Sequence, residues 1–157
     1  MSNHHRPTIG RRRALVRAGG FGLAAILGAV AAREASATPE SARDWLSALA
    51  KGEFKEGKVT IRAPEIAENG NAVPVTVSVD SEMTDGSYVK AIYVAADGNP
   101  NPGVAAFEFT PASGKAEVQL RIRMAQTQKV VAVAHMNDGS LFTASREVKV
   151  TIGGCGG

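Results

Sequence analysis

The sequence holds one cysteine, Cys155, among 157 residues. No disulfide can form within the chain, so any core is held by packing alone. Histidine is nearly as scarce: His4 and His5 lie near the N-terminus, and His135 stands alone in the rest. There are no paired histidines at metal-ligand spacing, no Gly-x-Ser-x-Gly elbow and no glycine loop for phosphate. The carboxylates are scattered, and no two suggest an acid–base pair. A functional imidazole needs an orienting partner. None is adjacent to His135, which reads as structural. These gaps argue against an enzyme and against a resident cofactor or metal. Long apolar runs are also missing. The one candidate, "AGGFGLAAILGAVAA" (18–32), is shorter than the ~20 residues of a membrane-spanning helix and is weakened as a helix by four glycines.

What is present begins with a leader. Residues 1–17 are basic and carry no acidic residue; the apolar run follows, and then Ala35-Ser36-Ala37. Basic, apolar and small-residue segments in that order form a secretory signal, with cleavage after Ala37. Within it, Arg12-Arg13-Ala14-Leu15-Val16-Arg17 resembles a twin-arginine signal, which carries folded proteins to the periplasm. Residues 1–37 are therefore expected to be removed. The leader takes six of the 18 basic residues and one of the 15 acidic ones. Twelve basic and 14 acidic residues remain, so the net charge of +3 becomes about −2. That balance gives no case for a nucleic-acid partner.

Beyond the leader, Thr38 can cap a helix, with Pro39 first and Glu40 in the first turn. Trp45, Leu46 and Leu49 recur at helical spacing, which predicts a helix over 39–51 ended by Gly52, with Trp45 anchoring it on a sheet. The period then becomes two. Strands are expected at 58–63, 72–80, 88–96, 104–110, 116–125, 129–137 and 147–152. Asn69-Gly70, Asp85-Gly86, Asp97-Gly98, Ser113-Gly114 and Asp138-Gly139 mark turns between them. The expected fold is mainly β: an immunoglobulin-like antiparallel β-sandwich over 38–152, with one short N-terminal helix. A small barrel is the alternative.

The sequence closes on Gly153-Gly154-Cys155-Gly156-Gly157. Nothing local lowers the thiol's pKa, and the only nearby charge is the terminal carboxylate, which disfavours the thiolate. What the segment offers is thinness and reach. Glycine has no Cβ, and three extended residues from Ile152 place the sulfur on the order of 10 Å away. Such a flexible arm can enter a narrow channel and be activated by the protein it visits. Simple terminal disorder does not explain the placement of the only cysteine there. Prenylation requires a cysteine four from the end, and this one is third. A disulfide-linked dimer through Cys155 is a conceivable side state.

The terminal Gly-Gly-Cys-Gly-Gly, the exported leader and "IRAPEIAENGNAVPVTVSV" (61–79) together resemble the SoxY family of sulfur carriers. The resemblance implies covalent attachment of thiosulfate-derived sulfur at Cys155, with Gly153, Gly154, Gly156 and Gly157 as the arm. It implies a SoxZ-like β-sandwich partner subunit. It also implies visits to a haem c enzyme that ligates thiosulfate, a sulfate-releasing hydrolase and a sulfane dehydrogenase. Two other classes compete. A ubiquitin-like carrier also ends in Gly-Gly but holds sulfur as a thiocarboxylate, and an exported binding module has no covalent role at all.

Overall fold

The computed structural model describes residues 38–151. The leader, with Arg12, Arg13 and Ala37, lies outside the described residues, as do Ile152 and the terminal Gly153, Gly154, Cys155, Gly156 and Gly157.

The first element starts on local chemistry. The Thr38 hydroxyl accepts the Ser41 amide at 3.1 Å, and the Ser41 hydroxyl accepts the Thr38 amide at 3.3 Å. This reciprocal cap, with Pro39 behind it, begins helix α1 (Pro39–Leu49). The helix ends sooner than its sequence suggests. Ala50 is already extended, and its methyl is buried, because the chain must turn at once into a strand at Phe54. The buried stripe is Ala42, Leu46 and Ala50, whereas Leu49 is 43% exposed. The row Ala42, Leu46 and Ala50, and not the Trp45–Leu49 row, therefore defines the docking face. Trp45 does anchor the helix, half-buried, with its indole flat against Gly103, where no side chain would fit.

Among the described residues nine strands follow: β1 (Phe54–Glu56), β2 (Val59–Arg62), β3 (Ile66–Ala67), β4 (Val73–Val79), β5 (Val89–Ala96), β6 (Gly103–Glu108), β7 (Ala116–Ile122), β8 (Gln128–Met136) and β9 (Leu141–Val150). A 3-10 turn at Pro111–Ser113 links β6 to β7. The strands form two sheets. The smaller runs β2-β4-β7 and is antiparallel throughout. The larger runs β1-β9-β8-β5-β6, with β3 added beside the end of β9. Both β1 and β3 lie parallel to β9, the one departure from antiparallel pairing.

The core lies between the sheets. Val73, Val75 and Val77 of β4 face Ile92 and Val94 of β5, Val130 and Ala132 of β8, and Val148 of β9, all buried. Removing each such valine or isoleucine from water is worth about 1.5–3 kcal/mol. The outer face of the smaller sheet keeps Thr60, Arg62, Pro74, Glu117 and Arg121, so its strands alternate as a sheet covered on one side must. β5 is buried on both faces because α1 covers Ala95 and the neighbouring Val133 from outside.

The fold is thus mainly β, a two-sheet sandwich with one short helix, as the alternation implied. β1 and β3 were not visible in the sequence. β9 also begins six residues earlier than its apolar pattern, at Leu141, since Thr143–Glu147 are polar or small yet paired to β8.

Candidate functional site

The described chain ends at Thr151, four residues before Cys155. The surroundings of this last residue are therefore the described structure nearest to Cys155 along the chain. They are built by three loops and the end of β9.

On one side β3 holds β9. The Lys149 amide donates to the Glu65 carbonyl at 2.9 Å, and the Thr151 amide to the Ala67 carbonyl at 3.1 Å. The Lys149–Glu65 ion pair, at 3.8 Å, is well exposed and adds little. On the other side the β8–β9 ladder stops at Gln128 and Val148. One step further the Val150 amide donates to the Thr127 hydroxyl at 3.0 Å, a side chain standing in for the missing strand.

The loop that carries Thr127 is itself tied down. Gln128 is the one buried polar side chain among the described residues, 5% exposed. Its amide oxygen accepts the Gly98 amide at 2.8 Å, and its nitrogen donates to Asn99 Oδ1 at 2.9 Å and to the Gln126 carbonyl at 3.2 Å. Asn99 Nδ2 reaches the Arg123 carbonyl at 2.8 Å, and Asp97 accepts the Lys129 amide at 2.7 Å. These bonds join the β5–β6 turn to the β7–β8 loop. The turn before β4 completes the ring: the Met124 amide donates to the Gly70 carbonyl at 2.7 Å. Gly70 packs so closely on Met124 and Val150 that a Cβ has no space. The strand patterns missed this network. A clue was present, since Gln128 sits in register with Val130 and Ala132, on the inward face of its strand.

Elsewhere the described residues hold little chemistry. His135 is half-buried on the outer face of the larger sheet, opposite Leu141 and Ala91. Among the described residues no three His, Cys, Asp or Glu side chains gather as metal ligands would. A cleft of about 810 Å³ lies beside α1, lined by Leu46, Val131 and Val133 with Arg43, Glu56 and Lys129 among its polar residues. Its charges are mixed. Among the described residues no helix is long and apolar enough to cross a membrane.

The family of the sulfur oxidation protein SoxY matches residues 46–155, from within α1 to the cysteine itself. The chain belongs to the SoxY family. Among solved structures, the sulfur carrier SoxY of Chlorobium limicola f thiosulfatophilum is 39% identical, covering 72% of this chain and 98% of its own, with a TM-score of 0.62. SoxY membership supports a sulfur-carrier role in the Sox system. Two further likenesses concern the fold alone. A superoxide reductase (neelaredoxin) from Ignicoccus hospitalis is 24% identical over 75% of this chain and 97% of its own, with a TM-score of 0.52. A putative superoxide reductase from Thermotoga maritima is 22% identical over 64% and 92%, also at 0.52. No curated relative matches the sequence.

Proposed function

We propose that this chain is a periplasmic carrier, exported by the twin-arginine route, that holds thiosulfate-derived sulfur on Cys155. The observation that carries the reading is that the SoxY match runs as far as Cys155, the only thiol of the chain. Gly153, Gly154, Gly156 and Gly157 then serve as a slim arm around the attachment atom.

Loading joins the Cys155 sulfur to the outer sulfur of thiosulfate. The thiol proton is lost, and two electrons pass to the haem c enzyme that catalyses the step. Hydrolysis of the resulting thiosulfonate then adds water at the terminal sulfur. Sulfate leaves, two protons are released, and a persulfide anion stays on Cys155 for the sulfane dehydrogenase. The carrier supplies no catalytic group in either step. It supplies the attachment atom, the arm and a rigid sandwich to which a SoxZ-like subunit pairs. A disulfide-linked dimer through Cys155 is an off-path state that a thiol reductant reverses.

Cys155→Ser tests the reading. The variant is expected to fold and to bind its partner subunit, and to abolish thiosulfate-dependent turnover. Wild-type protein taken during turnover should carry reductant-labile mass on the peptide holding Cys155. Normal turnover by the serine variant, or an adduct on another residue, refutes the proposal.

A further inference from the structure

We infer that the loop preceding β8 fixes the root of the carrier arm, with Thr127 as its positioning residue. The inference rests on the carrier reading above and adds which residues hold the strand that leads to Cys155.

Three successive amides at the end of β9 are tied to alternate sides. Lys149 and Thr151 donate to the carbonyls of Glu65 and Ala67 on the β3 side. Val150, between them, donates to the Thr127 hydroxyl on the other. An edge held on one side only would fray back toward Val148, the last residue of β9 paired to β8. The Thr127 hydroxyl extends the hold by two residues, past the point where backbone pairing has stopped. It can do so because its loop cannot drift. Gln128 clamps that loop to Gly98 and Asn99, and Met124 is bound to Gly70. The packing of Gly70 against Val150 walls the strand from a third direction.

The consequence is a defined tether. Four extended residues from Thr151 reach Cys155, a span of at most about 14 Å. A visited enzyme therefore meets the same three loops whenever the sulfur enters its channel. Release of Val150 would loosen the end of β9, and each residue freed must be ordered again on docking. The cost falls on binding of the carrier, not on the chemistry of the sulfur.

The test compares Thr127→Val, which keeps the shape and loses the hydroxyl, with Thr127→Ser, which keeps the hydroxyl. Amide exchange in the otherwise intact chain should quicken about five- to tenfold at Val150 in the valine variant, with Ile92 and Val133 unchanged and the serine variant near wild type. With the Cys155 thiosulfonate as substrate of the sulfate-releasing hydrolase, the valine variant should raise KM for the carrier on the order of three- to tenfold at unchanged kcat. Serine should restore it. Unchanged exchange at Val150 in Thr127→Val overturns the anchor. Faster exchange with unchanged KM overturns its part in presenting sulfur. Wild-type chain that takes no sulfur on Cys155 overturns the carrier reading instead, while the exchange comparison still decides whether Thr127 holds β9.

Discussion

At the scale of single residues, tolerance is set by which atoms already fill the space. Gly103 faces the Trp45 indole with no room between them. Gly103→Leu must push the indole away or shift β6, and overpacking of this kind costs about 1–3 kcal/mol. Thermal unfolding should show the loss directly. The cost should shrink in a Trp45→Ala background, because the two residues share one contact and couple. An additive double mutant would mean that α1 is held elsewhere, at Leu46 and Ala50.

At the scale of elements, the β8–β9 hairpin carries the clearest electrostatic signature. Asp138 accepts from the Ser140 hydroxyl at 2.6 Å and from the Ser140 amide at 2.8 Å. These bonds, the hydroxyl first, hold its carboxyl below the ordinary value of 3.8, with Lys58 helping. A carboxyl lowered on folding stabilises the fold above its unfolded value. The contribution fades as pH falls through the lower folded value. Asp138→Ala should therefore melt slightly lower than wild type at neutral pH, and the gap should close in acid below about pH 4. The effect is small because the side chain is solvent-exposed. A gap that persists unchanged in strong acid would assign the loss to backbone conformation and not to the charge. The hairpin also explains why β9 was partly hidden. Asp138-Gly139 announced a turn, but Thr143, Ser145, Arg146 and Glu147 broke the alternation after it. Their backbone pairing to β8, which periodicity does not report, keeps them in the strand.

At the scale of the whole molecule, the proposed function requires delivery to the periplasm as well as the sandwich. The paired arginines predict that Arg12→Lys with Arg13→Lys leaves the precursor in the cytoplasm, and that exported protein begins at or near Thr38. Fractionation followed by N-terminal sequencing checks both. Efficient export of the double variant would assign the leader to the general secretory route.

The sequence alone carried whatever depends on neighbours along the chain. The Thr38 cap, the period-two alternation of β4 and the turn dipeptides are local, and each appears in the fold where its chemistry places it. The lone cysteine and its glycines are local too, and they carried the functional reading. Tertiary structure alone decided what depends on contacts between distant segments. Phe54–Glu56 and Ile66–Ala67 are too short to show any period and become strands only because β9 offers them backbone partners. Thr127 and Val150 are 23 residues apart, Gly98 and Gln128 are 30 apart, and neither pair has a signature in composition or spacing. They meet because the two sheets must bury their valines against each other. That packing draws the loops at one end of the sandwich together around the strand that leads to the sulfur.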